Sequence, residues 1–211
     1  MHTLITPSIL SADLTHLQDE VDSIASADWI QVDVMDGHFV PNLSFGAPVL
    51  KNLKTKLPLD VHLMVTNPAD RIAEFLALKV ANITFHAEAV TKTSDRDSIM
   101  GAIRLGGATA GIALSPETPI TAIDDIVDRI GLVLLMSVHP GFGGQQFITA
   151  TIDKARMLRL KHPRLIIQID GGINAETAAL AREAGCNNLV AGSYVFSAKD
   201  RAEAISSLRG V

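Results

Sequence analysis

Polar side chains interrupt three of the most apolar segments of the chain. In DWIQVDVM (28–35), Gln31 and Asp33 break a run of Trp, Ile and Val; in LDVHLMV (59–65), His62 stands between Val61 and Leu63; in LIIQID (165–170), Gln168 and Asp170 alternate with Ile167 and Ile169. Residues two apart on a strand share a face, so Gln31 lies beside Asp33 and Gln168 beside Asp170. Burying a carboxylate is costly unless it is paired or liganded. A lone acid at a strand end is as readily a helix cap or half of an ion pair. Asp33, His62 and Asp170 arriving together, with few Lys or Arg nearby in sequence to neutralise them, point instead to acid/base or metal chemistry.

Something must bring these segments to one place. Short apolar runs at TLITPSIL, DWIQVDVM, LDVHLMV, NITFH, TAGIAL, LVLLMSV, LIIQID and NLVAG alternate with amphipathic stretches. Helices are expected from Asp13 through Ile24, from Asn67 as N-cap with Pro68 in the first turn, over SPETPITAIDDIV after the fifth strand, and over NAETAALAREAG between Asn174 and Gly185. Strict strand–helix alternation argues for a parallel sheet. About eight such units predict an α/β fold, a (β/α)8 TIM barrel forming a single domain over 1–211. An open doubly wound sheet is the alternative. In a barrel, polar residues near the carboxyl ends of strands face the active end.

Three late segments are glycine-rich. HPGFGGQQF (139–147), DGGI (170–173) and AGSYVF (191–196) leave the sixth, seventh and eighth strands. Glycine lets backbone N–H groups approach an anion closely, and a short helix opening at Ser193 adds its own. GFGG alone is compatible with a plain turn; three such loops at these strands favour phosphate binding. Met35, Met64 and Met136 also fall near strand ends, as core filler or as a water-excluding wall. His86 and His139 read as hydrogen-bonded loop anchors.

Composition limits the partners. The chain has 211 residues, 47% of them hydrophobic, with a net charge of −5 and no cluster of basic residues. Nucleic acid is therefore not an expected partner. No apolar run is long enough to cross a bilayer, no signal peptide is visible, and Cys186 is the only cysteine, which suits a cytoplasmic location.

A sugar phosphate suits both halves of this pattern. Glycine loops would hold the phosphate, and acids on well-separated strands would flank the carbon next to a carbonyl. One acid would remove a proton and the other return one to the opposite face, through an enediolate. At this point PSILSADL, VDVMDGHFVPN, DVHLMV, FHAE, PGFGGQ, DGGI and AGSYVF together resemble the ribulose-phosphate 3-epimerase family, in order and over nearly the whole chain. The resemblance implies interconversion of D-ribulose 5-phosphate and D-xylulose 5-phosphate. It implies Asp33 as proton acceptor, Asp170 as proton donor, and substrate contacts from Ser8 and His62. Gly141, Phe142, Gly143 and Gly144, joined by Gly171, Gly172, Gly192 and Ser193, match the phosphate site. One divalent metal ion (Zn, Mn, Mg or Fe) held by Asp33, His62 and Asp170 is implied, as is a homo-oligomer.

The sequence departs from that pattern at Gln31, where the family usually has histidine, at Gln168, usually glutamate, and at His139, usually asparagine. Gln31 is a weaker ligand for zinc than imidazole, and an oxygen-rich set favours harder ions. Loss of a histidine ligand together with a nearby acid suggests that the two changes are coupled. The alternatives are epimerisation of a six-carbon ketose phosphate such as D-allulose 6-phosphate, or a non-catalytic sugar-phosphate binder. A decarboxylase or aldolase is disfavoured, since no lysine lies near a strand end.

Overall fold

The computed structural model describes residues 2–210; Met1 and Val211, the ends of the expected domain span, lie outside the described residues. The strands are β1 (Leu4–Pro7), β2 (Ile30–Met35), β3 (Leu59–Met64), β4 (Asn82–His86), β5 (Thr109–Leu114), β6 (Leu132–Met136), β7 (Ile166–Asp170) and β8 (Asn188–Ala191). Every hydrogen-bonded neighbour is parallel, in the order β1-β8-β7-β6-β5-β4-β3-β2. A single parallel bridge between Ser8 and Gln31 joins β1 to β2 and rounds the sheet into a barrel.

Alternation along the strands sorts the side chains. Outward positions such as Val32, Val61, Ile83, Ile112, Val133 and Ile167 are fully buried in the main core under the helices. Each such side chain contributes ~1.5–3 kcal/mol of burial. The inward positions divide into two halves. β5 and β6 supply an apolar cluster of Ala113, Leu132, Leu134 and Met136. β1–β4, β7 and β8 supply the buried polar residues Thr6, Gln31, Asp33, Asp60, His62, Asn82, Thr84, His86, Gln168 and Asn188. The polar half carries the site.

The helices are α1 (Leu17–Asp22), α2 (Ala47–Leu50), α3 (Ile72–Leu76), α4 (Thr93–Leu105), α5 (Thr151–Lys161), α6 (Ala175–Glu183), α7 (Ser193–Phe196) and α8 (Arg201–Arg209). Three expected helices differ. Asp13 caps a 3-10 turn over Leu14–His16, accepting from the Thr15 N–H at 2.9 Å, and α1 starts only at Leu17. Asn67 makes no side-chain cap; Pro68–Asp70 is a 3-10 turn before α3. After β5 there are only 3-10 turns, at Ile120–Ile123 and Val127–Arg129. Pro119 lacks the N–H that would make the first hydrogen bond of a helix opening at Ser115. At α6, Asn174 forms the expected N-cap, in a capping box with Thr177, and Gly185 follows with φ 98°.

Candidate active site

Asp33 lies near the carboxyl end of β2 and is 3% exposed. The Ser8 hydroxyl donates to its Oδ2. On Oδ1 converge Nδ1 of His62, at 2.9 Å, and Nε2 of Gln31, at 2.9 Å. The same Gln31 nitrogen donates to Asp170 Oδ2 at 2.7 Å, so one amide group links acids on β2 and β7. Strand register explains the meeting on one side, since Asp33 sits directly across from His62 on the β2–β3 ladder.

Behind His62 runs a buried chain of hydrogen bonds. His62 Nε2 lies 2.9 Å from His86 Nε2, and His86 Nδ1 lies 3.1 Å from Glu88 Oε2. With no cation bound, the contacts share one extra proton between the two rings; where His86 is neutral and donates to Glu88, His62 donates to both Asp33 and His86. The acidities agree. Burial works against a charged His62, but the hydrogen bond and charge of Asp33 raise its pKa. Burial lowers His86 to about 4. Burial alone would raise Glu88, yet hydrogen bonds from His86, Thr118 and the Ser115 N–H hold it down to about 2. For Asp170, burial and then the Asp33 carboxylate push the pKa up to about 7. Near neutral pH Asp170 is therefore able to hold a proton that it can give up.

A second polar tier lies beneath. Asp60, 1% exposed, accepts from Gln168 Nε2 at 2.6 Å and Asn82 Nδ2 at 2.7 Å, and burial raises its pKa to about 6. Gln31 and Gln168 thus serve different carboxylates, and no hydrogen bond between them is found. A direct ligand-to-acceptor coupling of the two glutamines is overturned by these separate partners.

The acids open into a cleft. Ser8, Asp33 and Asp170 line it, as do Gly141, Phe142, Gly143, Gly144, Gly171, Gly172, Gly192 and Ser193. Gln31 and His62 sit just beneath, fully or almost fully buried. Gly172 shows why glycine is needed: its φ is +64°, and a Cβ there would stand 2.9 Å from the Phe147 backbone nitrogen. No lysine or arginine lines the cleft among the described residues, so an anion would be held by backbone N–H groups. Met35, Met64 and Met136 form part of the wall. His139 is an exposed residue 3.5 Å from Glu117.

Several participants differ from the sequence-based expectation. His86 is fully buried in β4, where it hydrogen-bonds Glu88 in the loop that follows, as a loop anchor would, and also touches His62. Its inward face follows from its spacing with Asn82 and Thr84, a signal present in the sequence. Glu88 lies past the strand end, and its partners on the next loop leave no sequence signal. Asp60 sits two residues before His62 but toward the other end of β3. Asn42 reaches across the cleft to donate to the Gly141 carbonyl.

The donor set fits a divalent cation. Asp33, His62 and Asp170 each offer one ligand atom, and these atoms lie within 4.8 Å of one another. Gln31 turns its nitrogen, not its oxygen, toward them; its Oε1 is buried without a partner among the described residues.

Comparison with known proteins gives the family and the fold. Residues 4–196 match the pattern of the ribulose-phosphate 3 epimerase family. A ribulose-phosphate 3-epimerase of Mycobacterium leprae is 45% identical over 99% of this chain and 95% of its own. The cytoplasmic isoform from Oryza sativa subsp. japonica is 42% identical over 97% and 92%. Among solved structures, 3-hexulose-6-phosphate synthase from Salmonella typhimurium superposes with a TM-score of 0.75 at 15% identity. That match covers 98% of this chain and 97% of the other, and it is a likeness of fold alone.

Proposed function

This chain belongs to the ribulose-phosphate 3-epimerase family and is an epimerase acting on a pentose phosphate; from that premise we propose that Asp33 and Asp170 invert C3 of D-ribulose 5-phosphate to give D-xylulose 5-phosphate. The observation that carries the proposal is the pair of acids, joined through one amide, at the floor of a glycine-lined cleft. Asp33 takes the C3 proton, leaving an enediolate. Asp170, whose pKa burial and the Asp33 carboxylate raise to about 7, delivers a proton to the opposite face. In the reverse direction the two exchange roles.

Ser8 orients Asp33 through its hydroxyl and contacts the sugar. His62 holds the other oxygen of Asp33 and is steadied by His86. The turns at Gly141, Phe142, Gly143 and Gly144, at Gly171 and Gly172, and at Gly192 and Ser193 supply N–H groups to the phosphate. A divalent cation (Zn, Mn, Mg or Fe) held by Asp33, His62 and Asp170 would supply Lewis-acid stabilisation of negative charge on the substrate oxygens.

The test is to incubate the protein with D-ribulose 5-phosphate in D₂O and follow C3 by NMR, with D-allulose 6-phosphate run in parallel. Deuterium at C3 with xylulose 5-phosphate appearing supports the assignment. Exchange confined to the six-carbon substrate overturns it. A cytoplasmic homo-oligomer is part of the same proposal, and light scattering on the purified protein tests the oligomer. Among the described residues, no helix is long and apolar enough to cross a membrane.

A further inference from the structure

Two carboxylates brought this close repel one another unless something lies between them. Here that something is neutral. Gln31, with 0% exposure, spends both hydrogens of its amide nitrogen on the acids, one on Asp33 Oδ1 at 2.9 Å and one on Asp170 Oδ2 at 2.7 Å. Its oxygen has no partner among the described residues. The orientation of the amide is therefore set by the carboxylates alone. A half-turn about its last side-chain bond would exchange nitrogen for oxygen. With both acids ionised, oxygen facing them is unfavourable unless a cation stands among them, and with a cation there it is a hard donor.

We propose that Gln31 is a positioning residue with two states. With no cation, its NH₂ group holds Asp33 and Asp170 together. When a divalent cation enters, the amide turns over and presents Oε1 to it. The acid pair is then formed in both conditions. The oxygen-rich donor set takes Mn²⁺ or Mg²⁺ in preference to the soft, nitrogen-rich binding that suits Zn²⁺. The inference does not depend on the identity of the sugar, so its test needs none.

The experiment uses the full chain, stripped with a chelator, as wild type and as Gln31→Leu and Gln31→His. Calorimetric titration with Mn²⁺ and with Zn²⁺ gives affinities, and thermal unfolding of the stripped proteins gives Tm. The Leu variant keeps the bulk and removes both amide atoms. It is expected to melt lower when stripped and to bind Mn²⁺ about tenfold or more weakly. The His variant is expected to gain affinity for Zn²⁺ relative to Mn²⁺. A Leu variant matching wild type in both stripped Tm and Mn²⁺ affinity overturns the proposal.

If the Leu variant does not fold, ¹⁵N NMR of the wild type decides. The Gln31 side-chain amide, assigned by its disappearance in Gln31→His, is expected to shift on saturation with Mg²⁺ as its hydrogens leave the carboxylates. An amide signal that stays in place while Mg²⁺ binding is lost in Asp170→Asn overturns the two-state amide. Failure of epimerase activity with the cation results intact would leave this inference standing and reject the substrate assignment alone.

Discussion

Asp33 and Asp170 are chemically alike and differ in their neighbours. Asp33 has Ser8, His62 and Gln31 on its oxygens, whereas Gln31 is the side chain found donating to Asp170. This asymmetry predicts unequal variants. Asp33→Asn and Asp170→Asn should each lower kcat by ~10²–10⁴. In D₂O, Asp170→Asn should still wash the C3 hydrogen from D-ribulose 5-phosphate, because Asp33 remains to take it, while xylulose 5-phosphate fails to accumulate. Asp33→Asn should reverse the preference between the two epimers. NMR of C3 for each epimer separates the cases. Ser8→Ala removes one hydrogen bond to a charged group, worth ~1.5–3 kcal/mol, so kcat/KM should fall by about 10- to 100-fold. Gln31 and Gln168 are visible in the sequence as amides in apolar strands. Which carboxylates they serve is not, because Gln168 reaches Asp60 from 108 residues away.

Elements place these residues, and their ends are where function can be perturbed separately. Asn174→Ala should cost ~1 kcal/mol of stability by opening the cap of α6, read from a denaturant midpoint. Gly172→Ala, in the turn just before that cap, forces a side chain against the Phe147 backbone at a left-handed φ. If the turn binds phosphate as proposed, that contact persists through the reaction, and KM should rise more than kcat falls. The strands are legible in the sequence because each alternates between two buried faces, with polar residues only on the inner one. The crossover after β5 is not: its apolar spacing at Ile120, Ile123, Ile126 and Val127 satisfies a helical pattern, yet the chain forms two separate 3-10 turns there.

Across the whole molecule, the chain from His62 through His86 to Glu88 ties the barrel interior to the loop after β5. Glu88 carries fewer protons folded than unfolded, since its pKa falls from 4.5 to about 2. Its contribution to stability is therefore complete above pH 4.5 and disappears as the pH drops toward 2. Glu88→Gln should be less stable than wild type at neutral pH, and the gap should narrow through that acid window. Urea midpoints measured at several pH values check it.

The bridge between Ser8 and Gln31 has a mechanical meaning. It fastens the first strand to the second, and both of its residues also grip the acid pair. At the lower end, the same seam is held by the Asp28 N–H on the Ile5 carbonyl, at 3.0 Å. The buckle of the barrel thus lies at and just beneath the floor of the cleft. A ligand seated there clamps the seam, and an empty floor leaves it freer to breathe. Amide hydrogen exchange along β1 and β2 should slow on ligand binding while the β3–β4 ladder changes little, making the joint between the barrel's first two staves a gauge of occupancy.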